Sequence, residues 1–132
     1  MTLRTLALAT LAVAGTMLAL DLTWLGVVAK SFYAAQLGPL MASPVQPVAA
    51  ACFYVMYVGA VVVHAVRPAT STRDAATRGA GLGFVAYATY DLTNWAVIAG
   101  WPAMLVPVDL AWGVILTTVA ACAGHLAARK AA

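Results

Sequence analysis

Four long stretches of apolar and small residues, separated by short polar or proline-bearing breaks, organise the chain. Positions 6–28 are apolar or small apart from Asp21 and scattered threonines, and 48–66, 80–98 and 104–127 repeat the pattern. Each is close to the roughly 20 residues a helix needs to cross hydrocarbon. The pattern predicts an all-α polytopic membrane protein, one domain over 1–132 with four transmembrane helices. The long connection, 30–47, carries Phe32, Tyr33, Leu37, Leu40 and Met41. It is too apolar for an aqueous loop, so a short interfacial segment after helix 1 is expected, broken at Gly38-Pro39. The stretch 67–79 reads as a polar, basic loop with Pro68 stopping the helix before it. The tight Ala99-Gly100-Trp101-Pro102 turn makes the last two spans antiparallel neighbours. A signal peptide competes for the N-terminus, with Arg4 and an Ala12-Val13-Ala14 cleavage pattern, but the apolar run continues well past that point.

Composition agrees with this reading. Of 132 residues, 64% are hydrophobic and 8% charged, and the mean hydropathy is +0.94; a soluble domain carries about 25% charged residues. The net charge of +3 does not imply nucleic acid here, because the bases sit at span ends. Arg4, Arg67, Arg73, Arg78, Arg129 and Lys130 fall on one side of the layout and Lys30 alone on the other. The positive-inside rule then puts both termini in the cytoplasm. The same bias argues against an antiparallel dual-topology dimer. Trp24, Trp95, Trp101 and Trp112 all lie toward the outer side, and Trp101 reads as an interfacial anchor.

Asp21, Asp91 and Asp109 are the acids within spans. Counted from the nearest span end at 1.5 Å per residue, each lies on the order of 10 Å beneath the outer boundary. An Asp at a helix centre costs about 2.5–3.5 kcal/mol on insertion scales, whereas an interhelical hydrogen bond in a membrane returns about 0.6 kcal/mol. Helix association alone is a weak reason to keep three. They are expected to face the bundle interior and share protons or hydrogen bonds.

Their neighbours extend the candidate site. Gly79, Gly83, Tyr87, Asp91 and Asn94 fall on one stripe of the third span, and Asp109, Gly113, Thr117, Ala120 and Gly124 on one stripe of the fourth. Tyr54 and Tyr57 share a face of the second span with Val61 and His64, so a tyrosine pair is expected to donate to the acids. Tyr90, Trp24 and Trp112, close in sequence to the acids, complete the set. Asp21-Leu-Thr-Trp24, Asp91-Leu-Thr-Asn-Trp95 and Asp109-Leu-Ala-Trp112 repeat one local pattern, and because spans one and three run in the same direction the first two copies are consistent with a parallel duplication of a two-helix unit.

The stretches Phe84-Val-Ala-Tyr-Ala-Thr-Tyr-Asp-Leu-Thr-Asn94, Val108-Asp-Leu-Ala-Trp-Gly113 and Asp21-Leu-Thr-Trp-Leu-Gly26 resemble a bacterial family of four-span membrane proteins known as domain of unknown function 2177. The resemblance covers essentially the whole chain. It implies a bacterial inner-membrane protein and supplies no activity, cofactor or substrate.

Other constellations are weak. His64 and His125 lie near the cytoplasmic span ends, a poor basis for a heme site. Gly79-Ala-Gly-Leu-Gly83 opens an apolar span with no strand before it, so it reads as helix packing. No lysine lies in mid-membrane, and Cys52 and Cys122 have no metal-ligand spacing. No cofactor or resident metal is expected. The reading is a protein that binds or translocates a proton or a small cationic or polar solute through the acids, as a homodimer in the bilayer, with a divalent cation as a variant. The alternatives are a membrane-embedded enzyme acting on a lipid or isoprenoid head group, and a structural or accessory subunit.

Overall fold

The computed structural model describes all 132 residues and is all-α, with five helices. α1 (Leu3–Thr23) continues through a π-helical turn, Trp24–Val28. α2 (Lys30–Leu37) is short and ends at Gly38, whose φ of 50° lies in the left-handed region. α3 (Pro47–Val61) also ends in a π-helical turn, Val62–Val66. α4 (Thr72–Val97) and α5 (Leu105–Ala131) are the two longest helices. Three segments, Leu3–Val28, Pro47–Val66 and Leu105–Ala131, are long and apolar enough to cross a membrane. α4 is of similar length but more polar at its start.

That start corrects the sequence reading. The region expected to be a loop over 67–79 is helical from Thr72 onward. The Ser71 hydroxyl accepts the Asp74 N–H at 3.0 Å, and Asp74 accepts the Thr70 N–H at 3.0 Å and Arg78 Nε at 2.9 Å. A capped helix start therefore precedes the apolar stretch by about two turns. Within the 30–47 connection the expected short helix is present as α2.

α5 is the central helix and packs along both α1 and α4. α1 offers it Thr5, Ala9, Val13, Met17 and Asp21, one buried residue in every four, a ridge of the kind that seats in a neighbouring helix groove. Against α4, the approach is closer. A Cβ on Gly79 would stand 2.8 Å from the Thr117 carbonyl oxygen, and one on Gly83 would collide with that of Gly113. Small residues let backbones meet where no side chain fits. α3 behaves differently: its last turn, Val62–Val66, wedges against α4 and α5, but along the rest of the helix the backbone stays away from that of α4 and the two are bridged by Tyr57, edge-on to Tyr87 at 6.2 Å. The bundle thus opens between α3 and α4 away from that wedge.

Large apolar side chains cover the outside, among them Leu22, Val55, Met56, Val85 and Val97. Such a surface suits hydrocarbon as the surrounding medium. His64 is exposed and His125 buried, with no hydrogen bond between them, and both cysteines are free.

Candidate functional site

All three acids expected within spans are buried: Asp21 at 5% exposure, Asp91 at 0% and Asp109 at 8%. Each sits on the buried stripe of its helix. Their surroundings differ. Asp21 receives two donors from two other helices, Tyr54 Oη at 2.6 Å from α3 and Trp112 Nε1 at 3.0 Å from α5. Asp109 receives the hydroxyl of Tyr33, which reaches in from α2. Tyr33 Oη in turn accepts Trp24 Nε1 at 3.2 Å.

Asp91, unlike the other two, receives no well-aligned hydroxyl or indole donor. The polar groups beside it are Asp109 and Trp101. The Trp101 N–H is itself enclosed and unpaired, so the residue expected to be an interfacial anchor has its polar end turned inward, its ring edge-on to Tyr90 at 5.9 Å.

Asp21 and Asp109 line a single cavity of about 550 Å³, with walls drawn from every helix. All five tyrosines of the chain, Tyr33, Tyr54, Tyr57, Tyr87 and Tyr90, line it too. Phe53, Trp112, Leu25, Met56 and Ala86 complete the wall. Aromatic rings and two carboxyls around one space make an environment suited to a positive charge: the ring faces are electron-rich and the acids supply the counter-charge.

The candidate residues sort themselves by this geometry. Asp21, Asp109, Tyr54, Tyr57, Tyr87, Tyr90 and Trp112 share the cavity. Asp91 lies outside it, beside Asp109. Trp24 acts from behind, through Tyr33 and through its stack on Trp112 (4.6 Å between ring centres, 8° between planes). Asn94 does not line the cavity; its amide lies beside Tyr90 instead. Tyr57 does not donate to an acid as expected. Thr117 Oγ1 gives its proton to the Gly113 carbonyl at 2.7 Å, so the 2.7 Å contact between Tyr57 and Thr117 has the tyrosine as donor. Tyr33 is the site residue that sequence reasoning does not single out. Its only signal is a phenol in an apolar connection following the first span.

Five helices, an apolar exterior and buried acids around an aromatic cavity define a helical integral membrane protein. The chain belongs to the family described as predicted membrane protein (DUF2177), which matches residues 6–126. Searches of curated proteins and of solved structures give no match.

Proposed function

We propose that the protein binds a small cationic or polar solute in the Asp21–Asp109 cavity and couples its occupancy to that of a proton. The observation that carries this reading is the collection of all five tyrosines and two of three intramembrane acids around one space of about 550 Å³. That volume falls within the range, about 300–1,000 Å³, of small-molecule sites. Asp91, beside Asp109 and without a well-aligned donor of its own, supplies a second carboxyl with which a proton can be exchanged. Intramembrane ionisable groups of this kind mark ion and proton pathways.

The reading takes α4 as a fourth span and places both termini in the cytoplasm of a bacterial inner membrane. The start of α1 and the ends of α3 and α5 converge around one concavity that includes Arg67, His125 and Arg129, which groups the bases at one end as the positive-inside rule requires. The cavity then lies in the outer half of the bundle.

Reconstitution with a trapped pH-sensitive dye tests it. Addition of tetramethylammonium to wild-type proteoliposomes is expected to change the internal pH, and Asp21→Asn and Asp109→Asn to abolish the response. Quenching of tryptophan fluorescence by tetramethylammonium without a pH change would leave binding and reject coupling. Neither signal would reject the proposal.

A further inference from the structure

We infer that the solute is an amphiphilic amine taken from the bilayer itself, its ammonium held between Asp21, Asp109 and the tyrosine faces and its hydrocarbon tail leaving between α3 and α4. The inference rests on the cation reading above and adds a route and a ligand class.

The route follows from where the walls are missing. The backbones of α3 and α4 come close only at the last turn, Val62–Val66; beyond it Tyr57 reaches across edge-on to Tyr87 at 6.2 Å, and from there toward the end that carries α2 the two helices diverge. On the α2 side the cavity is walled by Tyr33, bonded to Asp109 and to Trp24. The cavity residues with large exposed surfaces are Leu25, Met56 and Tyr90, at 47%, 67% and 56%. These form its lip. Phe53 to Tyr57 lie six to ten residues into the Pro47–Val66 span, about 9–15 Å below its boundary at 1.5 Å per residue. At that depth an exposed Met56 faces acyl chains. The mouth therefore opens sideways into hydrocarbon.

The ligand class follows from the mouth and the interior together. A small hydrophilic ion would have to cross hydrocarbon to reach such an opening, at a cost of several kcal/mol. An amine carrying an alkyl or acyl chain already resides there. Inside, Asp21 has one donor on each oxygen, and an ionised carboxylate accepts more than one hydrogen bond per oxygen. It can therefore face a cationic head group, by charge alone where that group has no N–H, without surrendering Tyr54 or Trp112. Tyr87 lines the cavity, and its ring lies against the Gly113 backbone, which fixes one aromatic face of the cage. Asp91, wholly buried beside Asp109 and reached by no hydroxyl, gives the pair a proton site that responds when a cation arrives.

The test uses the full chain in lipid nanodiscs, with tryptophan fluorescence as the signal because Trp112 lines the cavity. Three probes are titrated: dodecyltrimethylammonium, tetramethylammonium and dodecyl maltoside. The expected result is a saturable response to dodecyltrimethylammonium with half-saturation at least about tenfold below that of tetramethylammonium, no saturable response to the uncharged amphiphile, and at least about tenfold weakening in Asp21→Asn and Asp109→Asn. Equal half-saturation for the long-chain and tail-less cations would overturn the amphiphile while leaving the cation reading intact. A saturable response to dodecyl maltoside equal to that of the long-chain cation would overturn the ammonium assignment. Silence with both cations would overturn both readings. Because the ligand series is run on wild type, poor folding of an Asn variant does not remove the test.

Discussion

Trp24 and Trp112 lie face to face, 4.6 Å apart, and this stack joins the two hydrogen-bonded arms that end on the cavity acids. Trp112 donates to Asp21, and Trp24 donates to Tyr33, which donates to Asp109. α2, which has few other packing partners, is tied to the bundle through this arrangement. Stacked indoles couple their transitions, so the wild-type protein is expected to show an exciton couplet in its circular dichroism. Trp24→Phe and Trp112→Phe should each remove it. Trp112→Phe should also lower stability by about 1–3 kcal/mol, because a buried carboxylate loses one of its two donors. A couplet that survives either replacement would contradict the stack.

The contact between α4 and α5 depends on missing side chains. A Cβ at Gly83 would run into the Gly113 carbonyl oxygen, and a Cβ at Gly113 into the Tyr87 ring. Gly83→Ala is expected to cost about 1–3 kcal/mol, the usual range for overpacking, since the obstacle is backbone and the helices themselves must part. Gly15, where an added methyl group would meet nothing within 4 Å, is the control: Gly15→Ala should stay within about 0.5 kcal/mol of wild type. Unfolding in graded SDS measures both, and equal behaviour of the two variants would count against this packing.

The burial of the acids is legible from sequence because hydrocarbon leaves a carboxyl few alternatives to facing inward. The small-residue stripes of α4 and α5 are legible for a related reason: Gly79, Gly83, Gly113 and Gly124 repeat at helical spacing where close approach is possible, and all four are buried. Two features are not legible. Tyr33 enters the site because α2 folds back over the bundle, and no periodicity within residues 30–37 encodes that direction. The π-helical turns at Trp24–Val28 and Val62–Val66 shift register with no proline inside them, and Gly26 within the first and Pro68 just beyond the second signal a helix break without encoding its π form. The early start of α4 does have a sequence signal, hidden within a polar and basic stretch: Ser71 and Asp74 have the spacing of a capping box.

That cap carries its own pH signature. The Thr70 N–H, followed by Arg78, holds the partly exposed Asp74 carboxyl below the usual carboxylate range. A carboxyl whose folded value is depressed adds stability that is complete above its ordinary value, about 3.9, and is lost as pH falls through the lowered folded value. Asp74→Asn should therefore be less heat-stable than wild type at neutral pH, with the difference closing on acidification below the ordinary value. Thermal midpoints in detergent across that window check the sign. A gap that widens toward low pH would refute the assignment.

Asp91 separates a working acid from a helix tie. It is wholly buried, no hydroxyl reaches either of its oxygens, and its polar neighbours are the Asp109 carboxyl and Trp101. Were its purpose to hold helices together, Asp91→Val would loosen the bundle. If it serves proton exchange with Asp109, Asp91→Val should leave the thermal midpoint close to that of wild type, because Asp109 keeps its Tyr33 donor and one of two adjacent buried carboxyls is gone, while the cation-driven pH change in proteoliposomes disappears. Asp91→Asn, which keeps the shape but no longer titrates, should also lose that pH change. Binding of the cation, measured by tryptophan fluorescence, should persist in both variants, since Asp21 and Asp109 remain in the cavity wall. A fall in stability of more than about 2 kcal/mol in Asp91→Val, with the pH response retained in Asp91→Asn, would make Asp91 a structural residue.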